Sequence, residues 1–199
     1  MTVITALREG DDSVLIACDS GAHESAGGIR ITIPQKLQRQ PQGALAWATA
    51  GDTSVGDDFT AWLKKYPWPA ASWQAFKADA IAELARLNGA QREMIRLSGL
   101  EPDEFGVAVG LVVGWTGGEP NILELAADGK VTSYLEDGFK AIGSGESHAL
   151  IAHITLKPFT IDPVERLRYV TQTAATLAQK CDLPVHVWRV TQVGVEEIE

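Results

Sequence analysis

The stretch that decides the fold is residues 2–19, which read TVITALREGDDSVLIACD. Two β-prone apolar runs, Val3–Leu7 and Val14–Cys18, flank a polar turn that contains Gly10. Such runs separated by a glycine-containing turn are typical of a β-hairpin. We therefore predict a hairpin whose first strand starts at residue 2 and whose second strand ends at Asp19.

The rest of the chain alternates between strand and helix patterns. Residues 20–28 are small and polar and are predicted to form a loop. Further strands are predicted at 29–33, 36–39, 44–50, 107–115, 122–126, 131–135, 185–190 and 193–198. Helices are predicted at 55–66, at 73–84 with an extension to 97, at 147–156 and at 164–179. Strand blocks that alternate with helix pairs indicate two antiparallel sheets covered by helices, in the α+β class. The sequence contains no linker or repeat, so residues 1–199 are interpreted as one domain.

Composition and charge exclude several classes of function. Of 199 residues, 45% are hydrophobic and 22% are charged, which is typical of a soluble enzyme. The formal net charge is −9 and no cluster of Lys and Arg occurs, so neither nucleic acid nor an anionic membrane is expected as a partner. Cys18 and Cys181 cannot form a disulfide framework, and the histidines lack ligand spacing, so no metal site is expected from them. With no recognisable secretory signal, we expect a cytoplasmic protein.

Thr2 is the first candidate for catalytic chemistry. The initiator methionine is normally removed when a small residue such as threonine follows it, and loss of Met1 would give Thr2 a free α-amine. A hydroxyl is a weak nucleophile without a base, and an α-amine can serve as that base because its pKa is about 7.7–8. Threonine at position 2 is common, however, and by itself indicates no activity.

Five positions in chain order resemble the proteasome β subunits and bacterial HslV. The hairpin that begins at Thr2 and ends in Asp19 is followed, after a loop and a short strand, by Lys36. The strand-ending Ala50-Gly51-Asp52 and the Gly143-Ser144-Gly145 before a small-residue helix complete the pattern. The chain is most similar to the bacterial proteasome homologues outside the HslV line. This resemblance implies a four-layer αββα sandwich, the fold of N-terminal-nucleophile (Ntn) hydrolases.

The resemblance also implies a threonine-type endopeptidase, and chemistry explains the role of each matched residue. The Lys36 ammonium would favour an alkoxide-like Thr2 hydroxyl and lower the pKa of the neighbouring α-amine by like-charge repulsion. Asp19 would supply the counter-charge for Lys36. Gly51 would donate its N–H to the oxyanion, and Ser144 would hydrogen-bond Thr2 and relay protons.

A substrate pocket and an ion site follow from the same resemblance. Ala22, Thr49 and Thr53 would line the pocket for the residue before the scissile bond; their small side chains give little discrimination, so no cleavage specificity is predicted. Proteasome subunits carry an Asp and a Ser in the turn before their late strand. The corresponding stretch here is 178–182, where two alternatives stay open: Asp182 substitutes for the family's Asp, or the site does without it, as in HslV-like members. A structural sodium ion in that turn is expected from some relatives, and no other cofactor is expected.

Three functional hypotheses follow. The first is a self-compartmentalising peptidase that forms homo-oligomeric stacked rings and cleaves peptides or unfolded polypeptides, with an AAA+ unfoldase as a partner that no residue here identifies. The second is a ring-forming subunit that does not cut, which is favoured if Met1 is retained. The third is an Ntn amidohydrolase that acts alone on a small molecule.

Overall fold

The computed structural model describes residues 2–23, 30–32, 36–51, 53–99, 109–126, 131–133, 138–178, 181 and 183–198. The strands, in chain order, are β1 (Val3–Glu9), β2 (Ser13–Cys18), β3 (Gly21–His23), β4 (Arg30–Thr32), β5 (Gln38–Arg39), β6 (Leu45–Ala50), β7 (Val109–Thr116), β8 (Glu119–Leu125), β9 (Val131–Ser133), β10 (Phe139–Gly143), β11 (His186–Thr191) and β12 (Gly194–Ile198). The helices are α1 (Thr53–Lys65), α2 (Trp73–Leu97), α3 (Glu146–Leu156) and α4 (Pro163–Leu177).

The strands form two five-stranded antiparallel sheets and a two-stranded ribbon. The first sheet has the order β10-β1-β2-β11-β12, the second has the order β5-β6-β7-β8-β9, and β3 pairs with β4. Helices α3 and α4 pack on the outer face of the first sheet, and α1 and α2 pack on the outer face of the second. The two inner faces share one core. This is the predicted four-layer αββα sandwich.

Alternation along the strands builds these layers, because successive side chains of a strand point to opposite faces of the sheet. In β2, Ile16 and Cys18 face the second sheet, whereas Leu15 and Ala17 face α3 and α4. In β6, Ala46 and Ala48 face the first sheet, while Leu45 and Trp47 contact the helices. The small alanines on the inner face let the two sheets approach closely, and the large residues fill the layer beneath α1 and α2.

Local capping explains where two of the helices begin. The Ser72 hydroxyl accepts the N–H of Ala75 at 3.1 Å at the start of α2. The Asp162 carboxylate accepts the N–H of Val164 at 2.9 Å ahead of α4, with Pro163 as the first helical residue. Both caps satisfy N–H groups that have no intrahelical partner.

Two details of the sequence prediction need correction. Residues 20–28 were expected to form a loop, but Gly21–His23 forms β3 and pairs with Arg30–Thr32. Backbone hydrogen bonds, rather than an apolar pattern, define this ribbon. The strand Phe139–Gly143 was not predicted, although it pairs with β1 and forms one edge of the first sheet. Among the described residues, no helix is both long and apolar enough to cross a bilayer.

Candidate active site

The candidate site lies at the point in the first sheet where β1 begins after Thr2 and its neighbours β2 and β10 end. Strand β1 lies between β10 and β2, so its N-terminal end has a neighbour on each side. Val3 is opposite Gly143 of β10, and Ile4 is opposite Cys18 of β2. Thr2 is therefore held between the residues that follow these two strands. Its side chain is partly exposed, which leaves the hydroxyl open to a substrate.

Asp19, which follows β2, is fully buried and uses both carboxylate oxygens. Its Oδ1 accepts the backbone N–H of Val3 at 2.8 Å, and its own N–H donates to the Val3 carbonyl at 3.2 Å. Its Oδ2 lies 2.8 Å from the Nζ of Lys36. A buried carboxylate requires hydrogen bonds and a counter-charge, and Asp19 has both. Asp19 thus fixes the backbone of β1 and the Lys36 ammonium together.

Lys36 precedes β5, the first strand of the second sheet, so its side chain reaches the candidate site from that sheet. Its side chain is only 8% exposed, and its Nζ lies 3.3 Å from the Thr2 Oγ1 in addition to the contact with Asp19. An ammonium held this close in a site of low solvent access stabilises negative charge on the hydroxyl oxygen. Asp19 supplies the counter-charge that a buried cation requires.

Ser144 approaches Thr2 from the other side, and the glycines next to it make that approach possible. The Ser144 Oγ lies 3.2 Å from the backbone N of Thr2 and 3.3 Å from its carbonyl oxygen. Gly143 has φ of 93°, and a Cβ there would lie 2.2 Å from the Thr2 carbonyl oxygen. A Cβ on Gly145 would lie 2.2 Å from the Cγ2 of Val3. Only glycine at both positions allows the hydroxyl to reach Thr2.

Two cysteines border this cluster, and neither was predicted as a site residue. Burial raises the pKa of the Cys181 thiol, with a further contribution from Asp19, while Lys36 and a hydrogen bond with Ser144 oppose the rise. Burial likewise raises the pKa of Cys18 to about 12. The position of Cys18 directly before Asp19, on the inward-facing side of β2, was the sequence signal for its proximity. Cys181 lies in the turn before the last strand pair, where only Asp182 had been considered.

The other predicted residues are placed less directly. Gly51 directly follows β6 and has φ of 98°, a backbone conformation that favours glycine. Thr49 lies near the end of β6 against α1, because a Cβ on Gly56 would lie 2.7 Å from its Oγ1. Ala22 lies in β3 and Thr53 begins α1, and the structure describes only the backbone of these two residues. The pocket assignment of Ala22, Thr49 and Thr53 stays a prediction, as does the oxyanion role of Gly51.

Part of the expected ion site falls outside the described residues. A sodium ion and a substitute acid were expected in the stretch that includes Gln179, Lys180 and Asp182, and these three residues lie outside those that the structure describes. Within the described residues, no group of three or more His, Cys, Asp and Glu side chains could hold a metal ion. The sodium ion and the role of Asp182 stay predictions.

The architecture defines the class of fold: two antiparallel sheets flanked by helix pairs are the Ntn-hydrolase sandwich. Among solved structures, the chain is similar to eukaryotic HslV from Trypanosoma brucei, with a TM-score of 0.67 and 21% sequence identity over 95% of this chain and 99% of that chain. No family model and no curated protein matches the chain. At this identity the likeness shows the fold, and it confirms at that level the resemblance to proteasome β subunits and HslV.

Proposed function

We propose that the protein is a threonine-type endopeptidase that uses Thr2 as its nucleophile after removal of Met1. The observation that carries this proposal is the position of the Lys36 ammonium, 3.3 Å from the Thr2 Oγ1 and 2.8 Å from the buried Asp19 carboxylate. A lysine that is held by a carboxylate and aimed at a hydroxyl is suited to activating that hydroxyl. The likeness in fold to HslV supports the broader part of this proposal, that the protein is a hydrolase of the proteasome type.

The reaction follows from the roles of these groups. The Thr2 Oγ attacks the carbonyl carbon of a peptide bond, and its proton passes to the α-amine of Thr2 acting as general base. Lys36 stabilises the charge on the attacking oxygen, and the Gly51 N–H is expected to stabilise the oxyanion by about 3 kcal/mol. The protonated α-amine of Thr2 gives this proton to the nitrogen of the leaving peptide as the C–N bond breaks. Water then hydrolyses the ester on Thr2 and frees the hydroxyl.

Removal of Met1 is a requirement of this mechanism. In the unprocessed chain the nitrogen of Thr2 is an amide, which is not a base. The Ser144 Oγ lies 3.2 Å from this nitrogen, so the amine that processing would create already has a hydrogen-bonding neighbour. Ser144 could then pass protons between the amine and solvent, because its own side chain is exposed.

We further propose that the protein acts in the cytoplasm as a homo-oligomer of stacked rings and cleaves peptides or unfolded polypeptides. Exposed apolar side chains on and beside α3 and α4 support assembly, because exposed apolar surface commonly marks an interface. They are Ile151, Ile154, Phe159, Tyr169, Leu177 and Leu183. An AAA+ unfoldase as a partner is part of the same proposal.

The test compares the wild-type chain with Thr2→Ala in the native host. Intact mass and N-terminal sequencing should show loss of Met1. Turnover of fluorogenic peptides should fall by at least about 10³-fold in Thr2→Ala, because the nucleophile is absent. Thr2→Ser is the matched variant, since it keeps a hydroxyl and should retain measurable activity.

Each contrary result selects another function. Retained Met1, or turnover that does not depend on Thr2, would favour a ring-forming subunit that does not cut. Gel filtration then separates the remaining classes. A large assembly agrees with either ring-forming hypothesis, whereas a monomer that hydrolyses a small amide would favour the Ntn amidohydrolase.

A further inference from the structure

Thr5 is a polar residue in the otherwise apolar layer between β1 and α4. Its neighbours on the same face of the strand, Val3 and Leu7, belong to the core beneath α3 and α4, and Thr5 is itself fully buried. A buried hydroxyl in such a layer needs a hydrogen-bonding partner. The partner is Thr171 of α4, which is also fully buried and whose Oγ1 lies 2.6 Å from the Thr5 Oγ1.

The direction of this hydrogen bond follows from a second one. The Thr171 hydroxyl donates to the backbone carbonyl oxygen of Leu167, one turn earlier in α4, at 2.7 Å. A threonine hydroxyl has a single proton, and a carbonyl oxygen can only accept. The proton of Thr171 is therefore used by Leu167, and Thr5 donates to Thr171. Two successive hydrogen bonds thus connect a side chain of β1 to the backbone of α4.

The hydroxyl pair lets β1 approach α4 more closely than apolar side chains would. Two carbon atoms in contact lie about 3.5–4.0 Å apart, and a carbon and an oxygen atom lie about 3.3–3.6 Å apart. The two hydroxyl oxygens lie only 2.6 Å apart. A methyl group in place of either hydroxyl would consequently push the strand and the helix apart by roughly 1 Å at this point.

The next turn of α4 lies against the segment that carries Ser144. A Cβ on Gly145 would lie 3.4 Å from the backbone carbonyl oxygen of Ala174, three residues after Thr171. Helix α4 therefore borders both the strand that follows Thr2 and the residue that follows Ser144. The contacts between Thr2 and Ser144 are 3.2 and 3.3 Å long. If β1 moves away from α4 while Gly145 stays against the helix, these contacts lengthen.

We propose that Thr5 and Thr171 are positioning residues whose hydrogen bond sets how closely β1 lies against α4, and thereby the distance from Thr2 to Ser144. The proposal rests on the proposed function for its catalytic consequence, in which Ser144 holds the α-amine of Thr2. Both threonines are fully buried, so neither touches a substrate. Their effect passes through the backbone of β1.

Four variants separate positioning from stability. Thr5→Val removes the donor and leaves the Thr171 proton with its own acceptor. Thr171→Val removes the acceptor of the buried Thr5 proton, so it should destabilise the protein more. Thr5→Ser keeps the hydroxyl. Thr176→Val is the matched control, because Thr176 is exposed on α4 and its hydroxyl donates to the Gln172 carbonyl oxygen at 2.8 Å. If Thr171→Val does not fold, Thr5→Val decides the question.

The first readout needs no activity. In crystal structures, the distance from the Thr2 N to the Ser144 Oγ should be longer by roughly 0.5–1 Å in Thr5→Val than in the wild type. In Thr5→Ser and Thr176→Val this distance should equal that of the wild type. An unchanged distance in Thr5→Val would overturn the proposal, as would a wild-type structure in which the Thr5 and Thr171 hydroxyls do not meet.

The second readout compares kinetics with stability. In Thr5→Val and Thr171→Val, kcat should fall by a similar factor of about 10, although Thr171→Val unfolds at lower urea concentration, while KM changes by less than about 2-fold. Thr5→Ser and Thr176→Val should retain kcat to within about 2-fold. A lower urea midpoint with unchanged kcat would show a structural role only and overturn the proposal. If the processed wild type cleaves no peptide, the proposed function fails, while the crystal structures still decide whether the hydroxyl pair positions Thr2.

Discussion

Lys36–Asp19 and Lys140–Glu124 are two lysine–carboxylate pairs that join the same two sheets. In the first, the carboxylate follows β2 of the first sheet and the lysine precedes β5 of the second. In the second, Lys140 lies in β10 of the first sheet and Glu124 in β8 of the second. The distances between nitrogen and oxygen are similar, 2.8 and 2.5 Å. Charge pairing alone therefore does not identify a catalytic lysine.

The surroundings of the two pairs differ. Asp19 is fully buried and also accepts the N–H of Val3, and Lys36 also contacts the Thr2 hydroxyl. The side chains of Lys140 and Glu124 are 14% and 17% exposed. Among the described residues, each is the ion-pair partner of the other. A lysine that also contacts a nucleophilic hydroxyl can do chemistry, whereas a pair formed by a lysine and a carboxylate alone mainly joins the sheets. Lys140–Glu124 is accordingly the internal control for Lys36–Asp19.

The largest contrast is expected when each lysine is replaced by methionine. Lys36→Met should lower peptide turnover by about 10³-fold and destabilise the protein by about 3–5 kcal/mol, because it removes the cation at the hydroxyl and leaves Asp19 buried without a counter-charge. Lys140→Met should change turnover by less than about 2-fold and lower the free energy of unfolding by about 1–3 kcal/mol, because it leaves the mostly buried Glu124 carboxylate without its ion-pair partner. Fluorogenic turnover and urea denaturation measure both. Equal losses of turnover would contradict the distinction.

A smaller contrast is expected between two glycines with positive φ. Gly143→Ala would place a Cβ against the Thr2 carbonyl, so turnover should fall by about 10²-fold as the nucleophile is displaced. Gly117, in the turn between β7 and β8, has φ of 66° and nothing within 4 Å of an added Cβ. Gly117→Ala should cost only about 1 kcal/mol of stability from backbone strain and leave turnover unchanged. Thermal unfolding and turnover assays distinguish the two, and unaltered turnover in Gly143→Ala would show that Thr2 tolerates displacement.

The smallest effect at neutral pH concerns the buried thiol beside the catalytic pair. Folding raises the pKa of Cys18 from 9.0 to about 12, so the unfolded chain loses this proton first. The contribution of the protonated Cys18 thiol to the free energy of unfolding is fully present below pH 9 and is lost as pH rises toward 12. The wild type should therefore lose stability relative to Cys18→Val by roughly 1.4 kcal/mol per pH unit in that window. Urea denaturation at pH 7, 9 and 10 provides the measurement, and a difference that does not change with pH would show that the thiol ionises freely in the folded protein.

Much of the fold was predictable because hydrophobic periodicity reports which faces are buried. The β1–β2 hairpin, the four helices and the caps at Ser72 and Asp162 all follow from local patterns. Strand β10 was missed because it ends at Gly143, the first residue of Gly143-Ser144-Gly145. That stretch was interpreted as a motif and not as the end of a strand. The ribbon formed by Gly21–His23 depends on pairing with a distant segment, and local composition does not encode that pairing.

The candidate site was predictable in part, and for a different reason. The proximity of Thr2, Asp19, Lys36 and Ser144 was expected from the family pattern rather than from periodicity, and the structure brings these four residues together. The proximity of Cys18 and Cys181 to the site was not predicted, because neither cysteine belongs to the family pattern, although the position of Cys18 directly before Asp19 was a usable signal. The structure places Cys18 in the same inter-sheet core as Leu37, which follows Lys36.

The most direct test of the central claim is to locate the nucleophile by covalent labelling. A peptidyl β-lactone opens on an activated hydroxyl to leave an ester, and mass spectrometry of proteolytic fragments identifies the labelled residue. We predict one label per processed chain, on Thr2, that is retained in Lys140→Met and lost in Lys36→Met. A label on another residue, or labelling of Thr2 that does not depend on Lys36, would contradict the account.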